Sequence, residues 1–322
     1  MTTNESFIVV SEKLKSMHIK NHDFFLKTLD PEVESIDPFS DELTEDQINK
    51  LDTECEQNIW FFLREIVRYN TGEDLVQFEL DLSKLASTYC AINNINQYVV
   101  THVGLEKYHC MCAIILWEIL FKKDYNKIAL NNIYNFGSHV YGILINMIKE
   151  LPPYLSERLI KTNEDEPEAI GIVTEDGSEI RLFAPQYPVA KRNIDNIISE
   201  NAGNLSIYPD FEYMPVNIEL LDTDIHDNIE YTMVVTDVGS DKDINYNNIN
   251  RFISHSVKWD PMFYDVDINY IKEYIINKSV THYMYIEHSY IELGHDDEWA
   301  TEVINRYKFD DNTAKRLIFL KR

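Results

Sequence analysis

Hydrophobic positions follow helical spacing over the first ninety or so residues of this chain, then switch to short β-branched runs alternating with long apolar stretches. Residues 1–56 mix amphipathic helical patterns with acidic loops such as Asp37-Pro38-Phe39-Ser40-Asp41, an entry for a helix over 42–52. In residues 58–69 (NIWFFLREIVRY), Trp60, Phe61, Leu63 and Val67 recur at helical spacing, which predicts a buried helix, and a second is predicted over 82–93. Residues 97–121 (QYVVTHVGLEKYHCMCAIILWEILF) read as strand, polar turn and apolar helix, the order that a phosphate-binding loop requires. A strand over 126–134 and a helix over 137–151 follow, the latter stopped by Pro152-Pro153. Apolar runs at 170–174 and 179–184 flank Asp176-Gly177 and predict a hairpin. Further strands are predicted at 205–208, 231–236 and near 282–290, with helices over 188–199 and 267–277. This βαβ rhythm gives an α/β fold with a mainly parallel sheet flanked by helices, organised as a helical lead-in (1–56) and one α/β domain (57–322).

With 44% hydrophobic residues among 322, the chain can bury a sizeable core, which excludes global disorder. Charge narrows the function: 29 Lys plus Arg against 55 Asp plus Glu give −26, a field that repels phosphate and disfavours broad nucleic-acid binding. The acidic runs at 29–56, 163–179, 219–230 and 292–298 read as solvated faces and loops. Basic pairs at Lys122-Lys123, Lys191-Arg192, Lys315-Arg316 and Lys321-Arg322 leave room only for weak or indirect DNA contact. Cys55, Cys90, Cys110 and Cys112 form no CxxC pair and no zinc spacing, so they read as reduced thiols in a cytosol-like compartment. No leader pattern opens the chain and no run approaches the roughly 18 apolar residues of a membrane span. His282, His288 and His295 lie near Glu287, Asp296 and Asp297; His282 and His288 would share one strand face, but His295 follows Gly294 in a turn, so no metal site is expected.

The order of these segments resembles the ATPase domain of phage large terminases, the motors that pump DNA into capsids. The likeness runs from Asn58 to Arg322. Residues 58–69 are similar to that family's Trp/Phe-rich helix with an internal Arg-Glu, and Asn94-Ile95-Asn96-Gln97 to the segment entering its phosphate loop. A Walker A position falls at 102–108, a helix end at Leu151-Pro152-Pro153, a Walker B position at 205–215 and a coupling strand at 232–236. Residues 285–290 and 293–299 resemble the family's late segment, and 314–320 the end of its ATPase domain. The resemblance implies a P-loop NTPase-like fold, with the nuclease domain that follows in the family not expected within this chain.

A working P-loop uses glycine to let backbone N–H groups approach phosphates, Lys to neutralise the β and γ oxygens, and Ser or Thr to hold Mg²⁺. The resemblance places Lys107 as the phosphate-binding lysine and Gly104 in the loop. Glu106 replaces the glycine before the lysine, and Tyr108 the metal-binding hydroxyl. Val103 stands where the family tends to carry an arginine. In the Walker B position Pro209 replaces the metal-associated Asp, and Asp210 takes the place of the catalytic Glu, one methylene shorter. Thr236 matches the first threonine of the coupling motif, which Asp237 and Val238 break. Taken with these replacements, the resemblance implies a pseudo-ATPase: remnant nucleotide contacts at Gly104, Lys107 and Thr236, a remnant carboxylate at Asp210, residual ATP binding at most, no magnesium and no other cofactor. The expected partner is a protein, another viral motor or virion subunit, met in the host cytoplasm or the virion and without a membrane. The alternative is a split terminase ATPase that powers packaging with its nuclease on another chain.

Overall fold

The computed structural model describes residues 4–70, 74–101, 106–122, 127–131, 137–161, 171–174, 177–183, 205–209, 230–236, 246–291 and 296–318. The chain opens with helix α1 (Glu5–Ser16), capped by the Asn4 side chain. Helix α2 (Glu45–Gln57) begins not at Glu42 but at a capping box, where Thr44 and Gln47 each accept from the other's backbone N–H. The predicted helix over 58–69 exists but is shorter. Helix α3 (Ile59–Phe61) widens into a π-helical turn (Phe62–Ile66) and gives way to strand β1 (Arg68–Asn70), paired antiparallel with β2 (Leu75–Gln77). Val67 and Tyr69 fit a helical stripe and an alternating strand equally well, so periodicity alone cannot place the boundary.

Beyond it lie α4 (Leu82–Ile92), β3 (Gln97–Thr101), α5 (Glu106–Phe121), β4 (Lys127–Asn131), α6 (Gly137–Lys149) and the short α7 (Pro153–Ser156). Strands β5 (Leu159–Lys161), β6 (Gly171–Thr174), β7 (Glu179–Phe183), β8 (Leu205–Pro209) and β9 (Tyr231–Thr236) come next. The described chain closes with α8 (Tyr246–Ser254), β10 (Val257–Lys258), α9 (Ile268–Lys278), β11 (Met284–His288), α10 (Asp297–Tyr307) and α11 (Asp311–Leu317). The helix expected over 188–199 lies outside the described residues. No helix among the described residues is long and apolar enough to cross a membrane.

The chain divides into two compact units, one of Met1–Asp81, Tyr108–Lys127 and Ser138–Arg181, the other of Leu82–Lys107, Ile128–Gly137 and Leu182–Arg322. The first has an aromatic core: Phe7, Phe25, Phe61 and Phe62 are fully buried, Trp60 lies against both Phe24 and Phe25, and Phe62 meets Phe121 edge-on. Trp117, on α5, donates from Nε1 to the Cys55 carbonyl at 2.8 Å, which satisfies the indole where it is buried. The hairpin of β6 and β7 forms as predicted, with Gly177 at φ 87° supplying the left-handed turn residue.

The second unit holds the predicted parallel sheet. Among the described residues its strands run in the order β10, β11, β3, β9, β8, β4, every neighbouring pair parallel. Such strands are buried on both faces and are mainly apolar; all six of Tyr231–Thr236 and all five of Gln97–Thr101 are buried. On one face α4 packs over β3 and β11, and on the other Phe252 of α8 lies against Tyr98 and Tyr283.

All four cysteines are buried. Burial pushes the thiols of Cys55, Cys90 and Cys112 well above their usual range, with nearby Asp52 and Glu54 adding to the effect at Cys55. Native protein at pH 8 is therefore expected to react negligibly with a thiol-specific disulfide reagent while denatured protein titrates fully; a fast native reaction would contradict this burial.

The carboxyl edge of the parallel sheet as candidate nucleotide site

In an open parallel sheet, ligands bind outside the carboxyl ends of the strands, where successive connections diverge to opposite sides. That point lies at β3 and β9. From β3 the chain proceeds to β4 on one side, and from β9 it proceeds to β10 and β11 on the other. Strand β9 sits between β3 and β8, so the Walker A and Walker B positions flank the coupling strand. Val100 is in register with Thr236, and Pro209 with Val235, which brings the ends of all three strands to one level. With neighbouring strands ~4.8 Å apart, the β3 and β8 ends stand about 10 Å from each other, with the end of β9 between them.

Thr236 is the last residue of β9, fully buried, in one row with Val100 and Glu287. Lys107 is the second residue of α5, in the first turn of the helix that follows β3, where the N-terminal dipole favours an anion. Its side chain and that of Glu106 lie outside the described residues, as do Gly104, Val103 and Asp210. The structure thus places Thr236 and the Lys107 backbone and leaves the other two predicted positions undescribed.

The replacements are legible where the backbone is described. Tyr108, which the resemblance sets at the metal-hydroxyl position, is buried at 3% exposure. Pro209 ends β8 beyond the last residue paired to β4, Ile207, where a missing backbone donor is tolerated. Its side chain has no atom able to bind Mg²⁺.

Two segments of the resemblance prove to be structural pins. Gln97 donates to the Ser87 carbonyl at 3.1 Å and accepts from the Ser87 hydroxyl at 2.6 Å. Asn96 accepts from Thr232 N at 2.9 Å. Both sit at the amino end of β3, about 13–16 Å from the carboxyl edge at ~3.3 Å per residue, and lock α4, β3 and β9 together. Arg64 donates to the Phe25 carbonyl at 3.1 Å and pairs with Glu65 at 2.7 Å, holding the aromatic core of the first unit.

In the sequence Glu287 reads as a neighbour of His282, His288 and His295 and as part of the late segment of the resemblance. It stands instead beside the Walker A strand with its carboxylate already engaged, accepting from the Tyr285 hydroxyl at 2.8 Å and pairing with Lys258. His282 does not share a strand face with His288: it precedes β11 with φ 57°, a left-handed conformation that takes it out of the strand. His295 lies outside the described residues, among which no group of three His, Cys, Asp or Glu is placed to hold a metal.

No protein-family model and no curated protein matches this chain. Solved structures do. The ATPase domain of the Thermus phage P74-26 large terminase, in a point-mutant form, aligns at TM-score 0.50 and 10% identity over 76% of this chain and 94% of that domain. The HK97 bacteriophage large terminase aligns at TM-score 0.42 and 13% identity over 58% of this chain, and a large terminase from a thermophilic bacteriophage at 0.40 and 8% over 69%. This chain spans 38% of the HK97 protein and 47% of the thermophilic phage's protein. At such identity the likeness is one of fold. The chain shares the P-loop NTPase-like fold of phage large-terminase ATPase domains.

Proposed function

We propose that this chain is a terminase-like pseudo-ATPase, a viral interaction or regulatory module linked to DNA packaging, which keeps the nucleotide scaffold without its magnesium chemistry. The observation that supports this most is the contrast at one sheet edge. Strands β3, β9 and β8 end in register, while the metal positions hold a buried Tyr108 and a Pro209. Loss of the two metal contacts and of the arginine at position 103, at ~10²-fold each, removes about 8 kcal/mol of transition-state stabilisation. Its partner would be a protein, another motor or virion subunit, since a net charge of −26 opposes direct grip on DNA. The test is steady-state ATP turnover with and without Mg²⁺ beside a Lys107→Ala control. The expected rate is indistinguishable between the two proteins; robust hydrolysis that depends on Lys107 would overturn the proposal. Lys107 in the first turn of α5 and Thr236 at the end of β9 support one second reading, a split ATPase completed by another chain. DNA-stimulated turnover on mixing with a candidate partner would select it.

A further inference from the structure

Strands β1 and β2 of the first unit pair antiparallel, with Arg68 opposite Gln77 and Asn70 opposite Leu75. Residues that stand opposite each other share a face, and so do residues two apart, so these four side chains form one face of the ribbon. The other face is closed: Tyr69 is buried, its ring stacked on that of His109 at 4.1 Å. The face of Arg68 is open, with Leu75 50% exposed and Asn70 exposed beside it.

On that face the guanidinium of Arg68 lies over the ring of Phe39, 3.6 Å from its centroid. The ring holds the side chain in place without engaging its N–H groups. Nε is buried and has no hydrogen-bond partner, and no carboxylate pairs with Arg68 among the described residues. Asp37, two residues before Phe39, accepts instead from Phe39 N at 3.0 Å. The side-chain amide of Gln77, across the strand pair from Arg68, makes no hydrogen bond among the described residues either. Arg64 shows the contrast, since its guanidinium meets Glu65, the Phe25 carbonyl and the Thr28 hydroxyl. A half-buried guanidinium fixed on a ring and lacking a counter-ion is pre-set for a planar anion, which Arg68 would grip as a fork while the Gln77 amide donates from the side.

We propose that this face of the ribbon docks a segment of a partner protein that carries a carboxylate and, two residues away, a large apolar side chain, the carboxylate on Arg68 and Gln77 and the apolar group on Leu75. The rung of Arg68 and the rung of Leu75 lie ~6.8 Å apart, the spacing of residues i and i+2 in an extended peptide. The net charge of −26, with Asp37, Asp41 and Glu42 in the loop that carries Phe39, repels a phosphate dianion or a nucleic acid more than it repels one carboxylate. The exposed Leu75 likewise matches a peptide and not a phosphate. The inference gives a chemistry to the protein partner of the proposed function and rests on that reading only for the partner's existence. Arg68, Leu75 and Gln77 lie outside every nucleotide-motif position.

The experiment is a titration of the isotope-labelled full chain with the end-blocked peptide Gly-Ser-Leu-Ser-Glu-Ser-Gly and with its reverse, followed at the arginine Nε–H resonance that Arg68→Lys removes. One of the two orders is expected to saturate the shift. Arg68→Lys keeps the charge and loses the fork, so it should weaken binding about tenfold or more, read at the neighbouring backbone resonances. Gln77→Ala and Leu75→Ser should each weaken it about threefold or more. Replacing the peptide's glutamate by glutamine should weaken binding to the wild-type chain as much as Arg68→Lys does, which decides the point even where a protein variant is unstable. No saturation by either peptide at millimolar concentration overturns the proposal, as does binding indifferent to Arg68→Lys and to the loss of the glutamate. Tighter binding of inorganic phosphate than of either peptide would also overturn it and assign the face to phosphate. ATP turnover enters none of these readouts, so failure here is told apart from failure of the pseudo-ATPase reading.

Discussion

Glu106→Gly combined with Pro209→Asp is expected to create magnesium-dependent ATP binding in a protein that otherwise shows little response to the metal. Glu106 opens helix α5 directly before Lys107, the lysine proposed to meet phosphate, and a carboxylate ~4 Å from a phosphate oxygen costs up to about 4 kcal/mol at an effective dielectric near 20. Solvent screening and rotation of the side chain away from the ligand reduce that figure, so removal should tighten ATP binding by about 10²-fold, with or without metal. Pro209→Asp acts differently: it supplies the carboxylate of the Walker B position at the end of β8, level with Val235 and Thr236 on β9. Its contribution should therefore appear only when Mg²⁺ is present. Isothermal titration of the single and double variants with ATP, in magnesium and in EDTA, separates the two effects. Equal affinity of the double variant in both buffers would mean that β8 does not end at a metal position and that the motif assignment for 205–215 is wrong. Hydrolysis should stay absent even then, because the residue after Lys107 is still Tyr108 in place of a Ser or Thr.

How far the sequence could be read depended on whether a signal was local. Strands β3 and β9 carry the apolar runs Tyr98–Val100 and Met233–Val235, and Gly177 in an Asp-Gly turn marks its hairpin, so pattern alone located them. The relative order of β3, β9 and β8 was not legible in the sequence, since parallel pairing joins residues more than a hundred positions apart, such as Val100 and Thr236. Side chains whose role is set by distant neighbours stayed hidden. Gln97 looks like a loop-entry residue until Ser87 is found on both ends of its amide. Glu287 looks like a ligand until Lys258 and Tyr285 are found on its carboxylate. The end of the helix that begins at Ile59 was misplaced for the opposite reason: Val67 and Tyr69 carry a local signal that two structures satisfy.

Glu54→Ala is expected to be the most damaging single change in the first unit, costing about 3–5 kcal/mol in urea unfolding. The carboxylate is 2% exposed, and nothing in its acidic surroundings, Asp52, Glu54 and Glu56, singles it out in the sequence. One oxygen accepts from Leu29 N at 2.9 Å, the other from Asp30 N at 2.9 Å, and Asn58 Nδ2 donates to the first at 2.7 Å. Asn58 in turn donates to the Lys27 carbonyl at 2.8 Å, so the network ties the segment around residues 27–30 to the end of α2 and the start of α3. Alanine would strand two backbone donors and an amide away from water, each costing about 1–3 kcal/mol unless the loop opens to solvate them. Glu54→Gln keeps one acceptor oxygen and the shape, and should cost roughly half as much; that ordering distinguishes lost acceptors from lost volume. If alanine and glutamine were equally mild, within about 1 kcal/mol of wild type, the loop would be held by the packing of Phe24 and Phe25 on Trp60 and not by this carboxylate.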